Sequence, residues 1–69
     1  MFNLYDIVRL KQEDTKYGVK TSYEGIIVDV QSGGKDYTVE FFDEKGETVF
    51  DALFRDYSED MLELIQEAH

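Results

Sequence analysis

A chain of 69 residues is long enough for one domain and too short for two. It contains no cysteine, which excludes a disulfide scaffold and a thiolate metal site. Sixteen acidic residues against seven basic ones give a net charge of −9, which disfavours nucleic acid and anionic membranes as partners because both attract cationic proteins. Five tyrosines, five phenylalanines and a hydrophobic content of 42% exclude a disordered acidic tail.

The first half of the chain predicts two β-strands separated by a polar loop. Apolar and polar side chains alternate over residues 4–10 and again over residues 23–31. The loop between them, residues 11–22, is long enough to take part in function. Gly25 permits a bulge or a close backbone contact in the second strand. Alternation in that strand predicts two opposite faces, one with Ile26, Val28 and Val30, the other with Ile27, Asp29 and Gln31.

The middle of the chain predicts two further strands, each preceded by a glycine-containing turn. Residues 32–35 contain paired glycines, which accept the positive φ angles of a tight hairpin. The strand that follows covers residues 36–43. A second turn at 43–46 then reverses the chain into a fourth strand over residues 47–54.

The carboxyl-terminal segment is ambiguous between helix and strand. Residues 56–60 predict a turn or a single helical turn, with Ser58 as its N-cap. Residues 61–65 fit either periodicity, and we favour a short helical turn followed by a brief strand. Closure into a barrel would remove the exposed edges of such a sheet. The expected fold is therefore mainly β, a small SH3-like barrel of four to five antiparallel strands with a short C-terminal helical turn, as a single domain over 1–69.

Three segments carry a resemblance to known proteins. YDIVRL at 5–10 and GIIVDV at 25–30 resemble the opening strands of SH3-like barrels of the KOW kind. YTVEFFDEKGET at 37–48 resembles the central hairpin of a family of short bacterial proteins described as a domain of unknown function. Residues 57–64 resemble the acidic, leucine-containing segment with which members of that family end. The resemblance implies an antitoxin or immunity partner of a nuclease-type toxin and transfers no catalytic motif.

Acidic residues of the second half are the main candidate binding residues. A surface of carboxylates resembles a phosphate array, and it would cover the basic active site of a nuclease. Exposed aromatic rings would add apolar contact, for which we expect Tyr17, Tyr23, Tyr57 and either Phe42 or Phe50 to be partly exposed. The plainer alternative is that acidity only keeps a small domain soluble. The candidate partner-binding residues are Glu40, Phe42, Asp43, Glu44, Asp51, Asp56, Tyr57, Glu59 and Asp60.

Catalytic and metal-binding motifs are lacking in the sequence. The single histidine, His69, is the last residue, and the carboxylate pairs fall in turns. We therefore expect a protein that is not an enzyme, with no cofactor and no metal, located in the cytoplasm as a monomer or weak homodimer. The expected partner is a basic protein toxin. An alternative function is an SH3-like peptide-binding or subunit-docking module that uses the loop at 11–22.

Overall fold

Five antiparallel strands form one sheet in the computed structural model, which describes residues 1–31 and 33–68. In chain order they are β1 (Ile7–Leu10), β2 (Glu24–Gln31), β3 (Asp36–Phe42), β4 (Asp56–Ser58) and β5 (Leu62–Gln66). Their order in the sheet is β4-β3-β2-β1-β5. Two 3-10 helices, η1 (Phe50–Phe54) and η2 (Glu59–Met61), flank β4. The prediction of a mainly β fold is confirmed, and this small sheet fits an SH3-like barrel. His69 lies outside the described residues.

The strand predicted over residues 47–54 is wrong. Only Thr48 forms a bridge with β3, and the chain then turns into η1. Val49 packs against the core and Ala52 is fully buried. These two side chains are three residues apart, which is the repeat of a 3-10 helix. The apolar alternation of this segment suggested a strand, but burial follows a period of three.

The carboxyl-terminal prediction of a helical turn followed by a brief strand is confirmed, because η2 leads directly into β5. The three residues before η2, predicted as part of a turn, instead form β4. Tyr57 pairs with Tyr37 across β4 and β3, and both side chains are fully buried. Asp56 is exposed, as expected for its neighbour in a strand.

The first strand begins at Ile7 and not at residue 4, because residues 3–6 form a turn. The backbone N–H of Asp6 donates to the carbonyl of Asn3 at 3.1 Å. The Asp6 carboxylate is buried, and its two oxygens accept the N–H groups of Asn3 and Ala68, each at 2.8 Å. One carboxylate thus ties the segment before β1 to the segment after β5.

The core lies on the inner face of the sheet, where β2 and β3 approach closely. A Cβ at Gly25 would lie 2.5 Å from Val39 Cγ1 and 2.7 Å from Phe41 Cδ1. The close approach at Gly25 is therefore made by side chains of β3, and the register shift of β2 lies further along, between Ile27 and Asp29. The rings of Phe41 and Tyr57 meet edge to face, with centroids 5.3 Å apart.

A register shift between Ile27 and Asp29 changes the faces predicted for β2. Ile27 pairs with buried Val39, and after the shift Asp29 pairs with Thr38. Val30 pairs with buried Tyr37. Because paired residues share a face, Asp29 lies on the face of Ile26 and Val30 on that of Ile27. Simple alternation placed them the other way round, since it took no account of the extra residue in a bulge.

The loop at 11–22 is held against the core. Asp14 and Val19 exchange two backbone hydrogen bonds of 2.9 and 3.0 Å, and Val19 is fully buried. The Tyr57 hydroxyl donates to Asp14 Oδ2 at 2.9 Å. The guanidinium of Arg55 lies above the Tyr57 ring, 5.2 Å from its centroid.

No helix in the described part of the chain is long and apolar enough to cross a membrane.

Candidate protein-binding surface

The face of the sheet that points away from the core is the main candidate surface. Every second residue of β3 is buried, so Thr38, Glu40 and Phe42 point to the opposite side. Residues paired directly across antiparallel strands share a face. We call this surface the outer sheet face. Through the strand register, its members include Ile7, Glu24, Ile26, Asp29, Thr38, Glu40, Phe42 and Asp56.

The outer sheet face has an apolar centre and a largely acidic margin, in which Arg9 is paired with Glu24. Ile26 pairs with Ile7 on one side and with Glu40 on the other, and both isoleucines are half-buried. Asp29 and Asp56 both pair with Thr38, and both are exposed. The described chain contains no second sheet and no α-helix that would cover this face. An apolar centre with a polar rim is typical of protein interfaces.

Neutral side chains position two of these carboxylates. The Thr48 hydroxyl donates to Glu40 Oε2 at 2.8 Å. The amide of Gln31 donates to the Thr38 hydroxyl at 2.7 Å and to Asp56 Oδ1 at 3.1 Å. Because these donors are uncharged, they orient the carboxylates without compensating the negative potential of the surface.

Few of the chain's own cations pair with its carboxylates. Over residues 1–31 and 33–68, ion pairs join Arg9 to Glu24 at 3.0 Å and Arg55 to Asp14 at 3.5 Å. A third joins the amino-terminal ammonium to Glu59 at 2.6 Å. Among the predicted binding carboxylates, only Glu59 takes part in any of these three pairs.

A second acidic group continues from the end of β3. Asp43 Oδ1 accepts the backbone N–H groups of Lys45 and Glu47, each at 2.9 Å, so this carboxylate shapes the turn. Hydrogen bonding to the Glu44 carboxylate, together with burial, raises the pKa of the Tyr23 phenol. The charges of Asp43 and Glu13 raise this pKa further. Carboxylates of the turn and of the 11–22 loop thus gather around one phenol.

The remaining predicted carboxylates lie elsewhere. Asp51 is exposed on η1. Glu59 and Asp60 lie on η2, at the other end of β4, where they line a shallow hollow of about 480 Å³ with Lys11 and Lys35. Glu40 therefore lies on β3, Asp43 and Glu44 lie in the turn after it, and Asp56 lies on the neighbouring strand β4. Glu59 and Asp60 lie apart from these four residues, on η2.

The predicted exposure of the tyrosines is wrong at two positions. Tyr57 is fully buried and Tyr23 is 9% exposed, so Tyr57 has no surface to offer a partner. Tyr57 lies on the inward side of β4, a strand that the sequence did not predict. Tyr17 is half-buried, with the Arg55 guanidinium 5.5 Å from its ring centroid. Phe50, in contrast, is 70% exposed, whereas Phe42 is half-buried.

Sequence reasoning missed several surface residues. Phe54 is 85% exposed and was not among the predicted binding residues. Asp29 belongs to the outer sheet face only because of the bulge in β2. The sequence contained no signal for Phe54, because its exposure follows from the contact of Ala52 with the core.

The described residues form no group of three or more histidine, cysteine or acidic side chains suited to hold a metal ion. A hollow of about 400 Å³ lies beside the 11–22 loop, bounded by Gln12, Asp14, Arg55 and Met61 among others. Its lining includes both acidic and basic side chains, and one of the basic side chains, Arg55, faces Asp14 of the loop.

These features define a small mainly β protein whose single sheet leaves one acidic face uncovered in the described residues. The model of a family described as Domain of unknown function (DUF4926) matches residues 4–55, which is most of the chain. The protein therefore belongs to this family. The match extends from the turn before β1 to the residue after η1, so β4, η2 and β5 lie beyond it. Neither the curated proteins nor the solved structures contain a match to the chain.

Proposed function

We propose that this protein binds a basic protein through the outer sheet face and the turn at 43–46. In the most specific form of the proposal it is an immunity or antitoxin protein. It covers the active site of a basic toxin of the nuclease type and thereby excludes the toxin's nucleic acid substrate. The protein itself performs no catalysis and uses no cofactor.

The observation that supports this proposal is the set of carboxylates left without a cation. Within the described residues, Glu40, Glu44 and Asp56 form no ion pair with the chain's own lysines or arginines. An uncompensated negative surface attracts a cationic protein and raises its association rate by long-range steering. The same surface repels phosphate backbones, so a basic protein fits it better than nucleic acid does.

The apolar centre gives this surface a second property. Ile7, Ile26 and Phe42 are half-buried and stand among the carboxylates of the outer sheet face. Charges alone give fast but weak encounters, whereas burial of apolar side chains slows dissociation. A surface with both properties fits a stable complex better than a transient one.

Co-expression with the product of the neighbouring gene tests the proposal. Asp29→Lys combined with Asp56→Lys reverses two charges on the outer sheet face. Asp60→Lys combined with Glu67→Lys is the matched control, because it changes the net charge equally at exposed sites on η2 and after β5, outside the outer sheet face and the turn at 43–46. We expect the neighbouring product to arrest growth, and the wild-type chain and the control to restore it.

The outer-face variant is expected to fail to restore growth while remaining folded and soluble. Equal protection by both variants would contradict the proposed surface. A neighbouring product that is harmless and does not bind the chain would contradict the proposed function.

The hollow of about 400 Å³ beside the 11–22 loop favours a second candidate, an SH3-like peptide-docking module. Lys11 and Glu13 offer charged groups on its wall and Met61 offers an apolar one. The test is NMR titration with a library of short peptides. Shifts confined to these walls at micromolar concentration would support this alternative, and shifts on the outer sheet face alone would contradict it.

A further inference from the structure

Helix η1 holds two phenylalanine rings in solvent. Phe50 is 70% exposed and Phe54 is 85% exposed, the latter the largest exposure of any large hydrophobic side chain in the described residues. The helix cannot fold these rings inward, because Ala52 already occupies the core and Val49 packs against it. The Val49 N–H also donates to the Phe41 carbonyl at 2.9 Å, which fixes η1 on β3.

The segment that carries both rings begins and ends at the outer sheet face. The residue two before Phe50 is Thr48, whose hydroxyl binds Glu40 on that face. The residue two after Phe54 is Asp56, which is paired with Thr38 on the same face. Helix η1 therefore runs along the edge of β3 between two points that are both on the acidic surface.

We infer that Phe50 and Phe54 are the apolar anchors of the complex and that a basic protein covers them. The inference rests on the proposed function and adds a requirement on the partner. The partner's binding surface must contain an apolar cleft bordered by lysine or arginine side chains. In the sequence, Asp51 lies between the two phenylalanines and Asp56 follows two residues after Phe54. Thr48, two residues before Phe50, donates to the Glu40 carboxylate, so carboxylates border the segment at both ends.

Two physical arguments select this occupant. Interfaces commonly use a few aromatic side chains as anchors within a rim of charged groups, and the anchors contribute most of the binding free energy. A second copy of the chain fits the rings poorly, because each copy has a net charge of −9 and the carboxylates around η1 would face carboxylates. A cationic surface with an apolar cleft would bury the two rings and also attract the carboxylates around η1.

The test is the binding kinetics of the purified product of the neighbouring gene with four forms of the chain. These are the wild type, Phe50→Ser combined with Phe54→Ser, the charge-reversed Asp29→Lys with Asp56→Lys, and a control, Leu64→Ser with Ile65→Ser. The control removes two exposed apolar residues from β5, at the opposite end of the sheet from β3 and η1. Thermal unfolding verifies that each form is folded.

We expect the phenylalanine variant to dissociate on the order of 30-fold faster, because losing anchors of this kind costs at least about 2 kcal/mol. Its association rate should change by less than about threefold, since association is governed by charge. The control should match the wild type. Unchanged dissociation of the phenylalanine variant, together with slower association of the charge-reversed variant, would overturn this inference and leave the proposed function standing.

Two other results would also overturn the inference. If the wild type does not bind the neighbouring product, both the inference and the proposed function are wrong. If the wild type sediments as a dimer and the phenylalanine variant as a monomer, a second copy occupies the rings and no basic protein is needed.

Discussion

Removing one hydroxyl, by Tyr57→Phe, should measurably destabilise the fold while leaving its packing intact. The ring of Tyr57 fills the core against Phe41, and phenylalanine retains that contact. The hydroxyl donates to Asp14 Oδ2 at 2.9 Å, and the Asp14 side chain is only 8% exposed. The variant therefore removes one hydrogen bond to a nearly buried carboxylate and little else.

The structure allows the size of the effect to be estimated. A hydrogen bond to a charged group contributes about 1.5–3 kcal/mol, and Asp14 keeps the Tyr17 N–H at 3.2 Å and Arg55 Nε at 3.5 Å. A loss of about 2 kcal/mol in the free energy of unfolding follows. A urea dependence of about 1 kcal/mol per molar for so small a chain converts this loss into a midpoint lower by about 2 M.

Urea unfolding followed by circular dichroism measures the effect. Tyr5→Phe is the matched control, because Tyr5 is 61% exposed and its removal should change the midpoint by little. Hydrogen exchange should also show weaker protection in the loop that Asp14 anchors. If both variants unfold at the same urea concentration, the Tyr57–Asp14 bond does not stabilise the fold and the reasoning is refuted.

Three further predictions concern stability. Gly25→Ala should lower the free energy of unfolding by about 1–3 kcal/mol, because its Cβ would lie 2.5 Å from Val39 Cγ1. Urea midpoints measure the loss, and an unchanged midpoint would show that the Val39 and Phe41 side chains move aside without cost. Asp6→Ala should lower the free energy of unfolding by about 2–4 kcal/mol, because it removes two hydrogen bonds. Hydrogen exchange at the Ala68 amide should accelerate, and retained protection there would argue against the bond between Ala68 and Asp6. The raised pKa of Tyr23 means that the folded state holds the phenolic proton more tightly. Its contribution to stability is therefore complete below a pH of about 10 and is lost as the pH rises through the folded pKa. Tyr23→Phe should weaken the decline of the free energy of unfolding above a pH of about 10. An identical decline in the wild type and the variant would contradict the role given to the Tyr23 phenol.

The strands that the sequence predicted best are those with a strong local signal. The second and third strands are bounded by glycine turns and contain regular alternation, and both are present as β2 and β3. The segment at 47–54 failed because a strand and a 3-10 helix make similar apolar patterns over a few residues. What decides between them is the contact of Ala52 with the core, which is a long-range property that the local sequence does not contain.

The candidate site was predictable only in part for the same reason. Charge and turn chemistry pointed to Asp43, Glu44 and Asp56, whose positions depend on β3 and its neighbours. Asp29 lies on the outer sheet face only because of the bulge in β2. Glu59 is separated from these residues because η2 lies beside the amino terminus. Sheet register and the meeting of distant segments are set by tertiary packing, so no local pattern reports them.

The salt dependence of association tests the central claim most directly. The association rate of the chain with the neighbouring gene's product would be measured by stopped flow from low to physiological ionic strength. A carboxylate-driven encounter predicts a steep fall with salt for the wild type, and a slower rate with a weaker salt dependence for Asp29→Lys with Asp56→Lys. Equal rates for the two forms at every ionic strength would contradict the account.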